Sequence, residues 1–262
     1  MREEIEKVTR EAAAYLNELN GKEGLDKVLK VKENDTTKVI DKMAEDFILD
    51  RINNLGYSMS FVTEEGGFIG KEGTEYVAVI DPLDGSTNYL NGITWASVSI
   101  AIYTRAGRPV AGSVGEIFSN RVYSYDERNA YVNGVKFSPT FPPKQRIVLA
   151  YFEKGKLEKV IPVLTKIKGG YKSRNLGSAS LDVLLVCTGR AYLFIDVRNK
   201  LRNVDVASSL NFCERVNVNP VQLEGGKVDI NLKEVSVIKS LLVTSDPSLS
   251  QQILSEWKAL SS

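Results

Sequence analysis

The chain has 262 residues, of which 43% are hydrophobic and 26% charged, as in an ordinary globular protein of one large domain or two coupled halves. Its formal net charge is +1, so neither a nucleic acid nor an anionic membrane is expected as its main partner. Histidine is absent, which excludes Ser-His-Asp and Cys-His catalysis, histidine-ligated zinc and phosphohistidine intermediates.

Signals for export or membrane insertion are not found in the sequence. It contains no apolar run of about 18 residues, and its N-terminal segment is charged and amphipathic rather than apolar like a signal peptide. Cys187 and Cys213 are too few for a disulfide framework and are predicted to be buried, reduced thiols. Together these features predict a cytoplasmic protein.

The first half of the chain is predicted to contain two amphipathic helices followed by strands. Apolar residues recur at helical spacing over residues 5–19, and Gly21 then stops the first helix. The second helix is predicted to start at an N-cap within residues 35–37 and to end before Gly56. Asn133-Gly134 predicts a tight hairpin turn. The strand-like runs are residues 59–62, 76–80, 97–104, 110–117 and 121–125.

The character of the sequence changes at Pro142-Pro143, which predicts an N-terminal half of residues 1–142 and a C-terminal half of residues 143–262. The first half is typical of an α+β arrangement with antiparallel pairing, whereas the second alternates strand and helix. No low-complexity linker separates them, so we expect the halves to share an interface. The later elements are strands at 146–151 and 192–195, helices at 157–167, 178–188 and 205–216, and a last helix after Pro247.

The segment richest in chemistry is the string DPLDGSTN at residues 81–88, which directly follows a predicted apolar strand. Its proline fixes a turn, so that Asp81 and Asp84 can converge on one hard cation, which prefers oxygen ligands. Gly85 and Ser86 then have the pattern of a helix N-terminus, where backbone N–H groups bind phosphate. The simpler alternative is a surface turn that caps a helix. Metal ligands beside an anion cradle favour a phosphoryl-transfer site.

The string at residues 81–88 resembles the signature of the inositol monophosphatase and fructose-1,6-bisphosphatase family of lithium-sensitive, magnesium-dependent phosphatases. Further matches follow in the family's order, so the resemblance spans roughly residues 36–215. Taken singly, each match has a simpler explanation as an exposed helix residue, a solvated loop or a helix N-cap. In chain order the matches are Asp41, the acidic pair Glu64-Glu65, and the Asp205 of Val204-Asp205-Val-Ala207.

The chain departs from the family pattern around Asp205. Family members usually have Trp before this aspartate and Ala-Gly after it, where this chain has Val204 and Ala207-Ser208. Neither change removes a proposed ligand, but both bear on how the following helix packs.

The resemblance implies an α/β (α+β) fold built as a layered αβαβα sandwich, with an antiparallel sheet in the N-terminal half and a mixed sheet in the C-terminal half. It also implies about two or three Mg²⁺ ions per active site. Most metal ligands then lie in the N-terminal half, and the last ligand and the substrate loop lie in the C-terminal half. The implied ligands are Glu64, Asp81 and the carbonyl of Leu83 at one site, and Asp81, Asp84 and Asp205 at another.

The same resemblance implies that Glu64, Asp41 and Ser86 are the catalytic residues. The first cation would lower the pKa of its water, which Ser86 and Asp41 would orient for in-line attack. The second would stabilise the charge that develops on the ester oxygen, so that no histidine acid is needed. The phosphate would lie on the backbone N–H groups of Gly85 and Ser86.

Substrate preference is predicted from two further segments. Gly177-Ser178-Ala179 matches the family's sugar-contacting loop, and a basic run precedes Asp205. Inositol-selective members carry an acidic residue at the position of Arg198, whereas the basic run resembles archaeal members that accept both inositol-1-phosphate and fructose-1,6-bisphosphate. A solvated basic turn is the alternative. The basic residues expected to bind substrate are Arg198, Lys200 and Arg202.

Two other functions stay open at this point. One is a 3′(2′),5′-bisphosphate nucleotidase of the same superfamily, and the other is a non-catalytic regulator on this fold that binds RNA or a protein. Intact ligands and the lack of a basic stripe favour the enzyme, with a small sugar or polyol phosphate as its partner. The resemblance also favours a homo-oligomer, either a dimer or a tetramer.

Overall fold

Helices and sheets alternate through the fold of the computed structural model, which describes residues 1–31, 36–71 and 73–260. No helix within these ranges is both long and apolar enough to cross a bilayer. The α-helices are α1 (Arg2–Leu19), α2 (Val39–Asn53), α3 (Ser86–Leu90), α4 (Leu157–Thr165), α5 (Ala179–Cys187), α6 (Asn203–Arg215) and α7 (Pro247–Ala259).

The strands belong to a large sheet, a smaller sheet and two short ribbons. The strands before residue 137 are β1 (Val28–Val31), β2 (Thr36–Lys38), β3 (Met59–Thr63), β4 (Gly67–Ile69), β5 (Tyr76–Asp84), β6 (Ser97–Thr104), β7 (Pro109–Glu116), β8 (Val122–Tyr125), β9 (Ala130–Val132) and β10 (Val135–Lys136). Those after it are β11 (Ile147–Tyr151), β12 (Lys172–Arg174), β13 (Leu193–Asp196), β14 (Leu201–Arg202), β15 (Val237–Ile238) and β16 (Leu241–Thr244).

The large sheet has eight strands in the order β10-β9-β8-β7-β6-β5-β3-β4. Its neighbours pair antiparallel except β3 and β5, which run parallel with Met59 opposite Tyr76. The smaller sheet has the order β12-β11-β13-β16, in which only the β13–β16 pair is antiparallel. The predicted mixed sheet in the C-terminal half is therefore confirmed, and the N-terminal sheet is antiparallel with one parallel pair.

The elements stack in five layers, as the predicted αβαβα sandwich requires. α1 and α2 cover one face of the large sheet through buried side chains such as Ile5 and Ile48. α5 and α6 fill the space between the two sheets, where Val206 is fully buried. α4 and α7 cover the outer face of the smaller sheet with Val160 and Ile253. Both sheets thus bury both faces.

Most predicted elements are confirmed, but the predicted starts of α2 and α6 are wrong, since α6 begins at Asn203 and not at residue 205. α2 starts at Val39 with Lys38 as its N-cap, because residues 36 and 37, where the N-cap was predicted, belong to strand β2; residue 35 lies outside the described residues. The predicted hairpin turn is confirmed, since Asn133 and Gly134 have φ angles of 50° and 78° between β9 and β10. The division of the chain at residues 142 and 143 stays a prediction.

The predicted reduced thiols are wrong, because Cys187 and Cys213 form a disulfide. Their Cα atoms lie 5.1 Å apart, near the C-terminal ends of α5 and α6. Both side chains are fully buried. The two residues are 26 positions apart in the chain, and only the packing of the two helices brings them together. The bond therefore links the two helices of the middle layer.

Replacing both cysteines with alanine is expected to lower the free energy of unfolding by about 2–4 kcal/mol, because the cross-link restricts the unfolded chain. Guanidinium denaturation followed by circular dichroism measures the change, and wild-type protein in reductant should show a similar loss. Thiol titration of the denatured, unreduced protein should find no reactive thiol. Unchanged stability, or two titratable thiols, would contradict the cross-link.

Candidate active site

The two aspartates of the string at residues 81–88 lie at a bulge in β5. Asp81 pairs with Ser99 on β6 and Asp84 pairs with Ser97, so β5 has one residue more than β6 over this stretch. In a regular strand, residues three apart point to opposite faces, and an extra residue changes this relation. Pro82 fits at the bulge because proline has no backbone N–H to donate to the neighbouring strand. The bulge therefore allows both carboxylates to serve one site.

The first turn of α5 holds the carboxylate of Asp84. The Ser178 hydroxyl donates to Asp84 Oδ2 at 2.6 Å, and the backbone N–H groups of Ala179 and Ser180 donate to its two oxygens at 3.1 and 2.8 Å. The positive end of the helix dipole favours a carboxylate at this position. The predicted sugar-contacting loop therefore also positions a proposed metal ligand. Sequence reasoning missed Ser180, although the G-S-A-S string before an apolar helix is a recognisable N-terminal signal.

Arg202 lies against two of the proposed ligands. Its guanidinium approaches Glu64 Oε1 to 2.6 Å through Nη2 and Asp205 Oδ1 to 3.0 Å through Nε. Its backbone N–H also donates to Asp205 Oδ2 at 2.8 Å. Asp205 is the third residue of α6 and forms a capping box with Arg202, so it is not the N-cap itself. Arg202, expected to bind substrate, is thus in contact with two of the clustered acids.

Burial dominates the electrostatics of the four acids. It raises the pKa of Glu64 to about 7, against the lowering effect of Arg202. Burial also raises the pKa of Asp84 to about 7, although the Ser178 hydrogen bond opposes the shift. The pKa of Asp81, which is 1% exposed, is raised well above its usual range by burial and then by the charges of Glu64 and Asp84. Burial raises the pKa of Asp205 too.

The donor chemistry of this cluster fits a hard divalent cation. All four side chains offer carboxylate oxygen, the ligand that Mg²⁺ and similar ions prefer. Within the described ranges, however, no group of three or more acidic or cysteine side chains is placed so that it could hold a metal ion without rearrangement. The contacts of Arg202 with Glu64 and Asp205 agree with this, because they direct oxygens of both residues to a guanidinium. The residues fit a cation by charge and donor type.

The other predicted catalytic and phosphate-binding residues lie at helix starts. Asp41 is the third residue of α2, 6% exposed, and accepts a hydrogen bond from the Lys38 backbone N–H at 2.8 Å. Ser86 is the first residue of α3, after Gly85 with φ of 87°. A Cβ at Gly85 would lie 3.0 Å from the Trp95 carbonyl oxygen. Glycine is therefore required at this turn by both conformation and space.

The basic run separates into residues with different surroundings. Asp196, 1% exposed, binds the Arg198 guanidinium through Nη2 at 2.6 Å and through Nε. The same guanidinium lies 4.5 Å from the ring centroid of Tyr151. Lys200 is 60% exposed and pairs with Glu153 at 2.5 Å. Sequence reasoning missed Asp196, although an acid two residues before an arginine is a visible signal for a local ion pair.

A five-layer fold that buries several carboxylates beside helix N-termini is characteristic of a class of phosphoric monoester hydrolases. A sequence profile described as the inositol monophosphatase family matches residues 1–253. The inositol-1-monophosphatase of Aeropyrum pernix is 33% identical over 251 residues, which cover 94% of this chain and 92% of that protein. The chain therefore belongs to the inositol monophosphatase family.

Two further relatives agree with this assignment. A fructose-1,6-bisphosphatase/inositol-1-monophosphatase of Methanocaldococcus jannaschii is 29% identical over 217 residues, which cover 82% of each chain. The solved structure of a Pyrococcus horikoshii protein with similarities to inositol-1 monophosphatase superposes with a TM-score of 0.78 and 28% identity, covering 91% of this chain and 90% of that one. The predicted family and fold are thus confirmed.

The raised pKa values predict a pH dependence of stability in metal-free protein. Between the ordinary carboxyl pKa near 4 and the folded value of about 7 for Glu64 and Asp84, the folded state holds protons that the unfolded chain has released. The free energy of unfolding should therefore fall as pH rises through this window. Calorimetric melting in EDTA from about pH 5 to pH 8 should show a falling Tm.

The Asp84→Asn variant should have a flatter Tm profile over this range, because it lacks one of the titrating groups. Asp246→Asn is the matched control, since hydrogen bonds hold the pKa of that carboxyl below its usual value despite its partial burial. An Asp84→Asn profile parallel to the wild-type profile would contradict the assigned shift.

Proposed function

We propose that the protein is a Mg²⁺-dependent phosphatase that hydrolyses phosphate monoesters of sugars and polyols, namely inositol-1-phosphate and fructose-1,6-bisphosphate. The observation that carries the proposal is the cluster of largely buried acids that combines one side chain after β3, two on β5 and one on α6. Such a cluster suits a hard cation and a reaction without histidine. The names of the archaeal relatives support both substrates. The acids are Glu64, Asp81, Asp84 and Asp205.

About two or three Mg²⁺ ions per active site are part of the proposal. When bound, they lower the pKa of a water molecule and neutralise charge on the phosphate and the leaving oxygen. The ligands proposed for one ion are Glu64, Asp81 and the carbonyl oxygen of Leu83, and those for another are Asp81, Asp84 and Asp205.

The chain's own groups are proposed to orient the reactants. Ser86 and Asp41 direct the attacking water, with Glu64 as the third catalytic residue, and the N–H groups of Gly85 and Ser86 hold the phosphate. The neighbouring Asp84, a proposed metal ligand, is held rigidly, because it accepts three hydrogen bonds from the start of α5. A carboxylate fixed in this way needs little reorganisation when charge develops during the reaction.

Arg198 is proposed to contact the second phosphate of a bisphosphate substrate. Its side chain is 30% exposed, and Asp196 takes up Nε and Nη2. Among the described residues, Nη1 makes no hydrogen bond, so it can donate to an incoming anion. Gly177, Ser178 and Ala179 are proposed to contact the polyol, with Lys200 and Arg202 supplying further positive charge.

Two general properties complete the proposal. We propose a cytoplasmic homo-oligomer, either a dimer or a tetramer, as the family resemblance implies, with neither a membrane nor a nucleic acid as partner. The Cys187–Cys213 disulfide is unusual for a cytoplasmic protein, because reducing compartments usually keep thiols reduced. Cell fractionation and light scattering of the purified protein test the two properties separately.

A panel of inositol-1-phosphate, fructose-1,6-bisphosphate and adenosine 3′,5′-bisphosphate, each with Mg²⁺ and with EDTA, tests the function itself. Metal-dependent release of phosphate from the first two substrates is expected. Preference for the nucleotide would replace the proposal with the nucleotidase alternative. No release from any substrate would favour a non-catalytic regulator.

Asp84→Asn is expected to lower kcat at saturating Mg²⁺ by at least about 100-fold, because the amide keeps the shape but loses the charge that binds a cation. The control is Asp246→Asn, the same change at the N-cap of α7, where the carboxylate accepts from the N–H groups of Ser248 and Leu249. It should leave kcat unchanged. Near-normal turnover by Asp84→Asn would refute the ligand assignment.

Arg198→Glu is expected to reduce kcat/KM for fructose-1,6-bisphosphate about 10- to 150-fold more than for inositol-1-phosphate, because a charge-assisted contact to the second phosphate is lost. Steady-state kinetics with both substrates measures the ratio. Arg146→Glu serves as control, since Arg146 also lies over a tyrosine ring but has the ring of Tyr192 as its partner. Equal losses for both substrates would mean that Arg198 does not contact a second phosphate.

A further inference from the structure

A buried carboxylate that the proposed chemistry does not use lies behind the substrate loop. Asp182 on α5 is 0% exposed. It accepts hydrogen bonds from Trp95 Nε1 at 2.9 Å and from the Tyr151 hydroxyl at 2.5 Å, and the backbone N–H of Leu176 is a further donor. A carboxylate this deeply buried is costly unless its partners are well placed, so the arrangement around it is highly specified.

Tyr151, at the end of β11, connects this carboxylate to two substrate-facing features. Its hydroxyl donates to Asp182 and accepts from the Gly177 backbone N–H at 2.7 Å. Its ring lies under the Arg198 guanidinium at 4.5 Å. One side chain, itself 3% exposed, therefore contacts both the proposed sugar loop and the residue proposed to bind a second phosphate.

The other side of the loop is fixed by Asn88, the last residue of the string at residues 81–88. Its Nδ2 donates to the carbonyl oxygens of Leu176 at 2.6 Å and Trp95 at 2.8 Å. A Cβ on Gly177, whose φ is 93°, would lie 2.7 Å from the same nitrogen. The loop thus lies directly between the phosphate-binding segment and Tyr151.

We propose that Tyr151, oriented by Asp182, is a positioning residue that sets the spacing between the sugar loop and Arg198 and so contributes to the choice of substrate. This inference rests on the proposed function, in which the loop contacts the polyol and Arg198 contacts a second phosphate. The Tyr151 hydroxyl fixes the loop, and the Tyr151 ring fixes the guanidinium. Removing the two features separately should therefore have different effects.

Tyr151→Phe removes only the hydroxyl and leaves the Gly177 N–H without its acceptor. It should raise KM for both substrates about tenfold while kcat stays within about threefold, because the loop contributes binding that is equal in ground and transition states. Tyr151→Leu also removes the ring under Arg198. It should lower the ratio of kcat/KM for fructose-1,6-bisphosphate to that for inositol-1-phosphate by about threefold, whereas Tyr151→Phe should leave this ratio unchanged.

Tyr192→Phe is the matched control. Tyr192 also donates its hydroxyl to an aspartate, Asp246 at 2.8 Å, and also carries an arginine, Arg146, over its ring. It should change neither KM nor the substrate ratio. Asp182→Asn, a change that keeps the shape, should raise the same KM values about threefold, acting through Tyr151. If Tyr151→Phe does not fold, Asp182→Asn still tests the positioning role of Tyr151.

The outcomes separate this inference from the function on which it rests. No turnover by the wild-type enzyme on the panel would overturn the proposed function and the inference together. Turnover by wild type, with folded Tyr151→Phe and Asp182→Asn both keeping wild-type KM values, would overturn the positioning role alone. A fall in kcat with unchanged KM would also overturn it. Raised KM in both variants, but not in Tyr192→Phe, is the result expected.

Discussion

Four largely buried carboxylates lie close together, so their negative charges repel one another. Neighbouring hydrogen-bond donors and an arginine offset this repulsion. Asp81 is 1% exposed, and its pKa is raised first by burial and then by neighbouring acids. Charges interact strongly where water is excluded, so each acid needs a proton, a donor or a cation. The start of α5 supplies donors to Asp84, and Arg202 supplies positive charge to Glu64 and Asp205. These contacts bring the first turn of α5 and the N-cap residue of α6 against the acids.

The middle helix layer, formed by α5 and α6, makes the most direct contacts with these acids. α5 reaches Asp84 through its first turn, and α6 carries Asp205 in its first turn. The disulfide joins the same two helices near their opposite ends. The helix pair is therefore fixed at one end by a covalent bond and at the other by contacts to buried acids. Small shifts at such a site cost activity, because catalytic groups must be held within fractions of an ångström.

Local features of the fold and site could be predicted from the sequence, whereas long-range contacts could not. Residues 81–88 contain two proposed carboxylate ligands and a helix start within one short string, so this combination is recognisable without a structure. Neither Glu64, in the pair Glu64-Glu65, nor Asp205 lies in a comparable string of functional residues, and only the family resemblance singled them out. The contact of Arg202 with Glu64 and the pairing of Cys187 with Cys213 both arise from packing between distant elements, which residue spacing does not encode.

Under the proposed function, a divalent cation that binds at this site would displace protons from the buried acids. Calorimetric titration of metal-free protein with Mg²⁺ at about pH 6.5, in two buffers of different ionisation enthalpy, measures the protons released on binding. We predict a net release that declines as pH rises past about 8, because acids with pKa values of about 7 are by then ionised. Mg²⁺ binding without proton release at the lower pH, or no Mg²⁺ binding at either pH, would contradict the account.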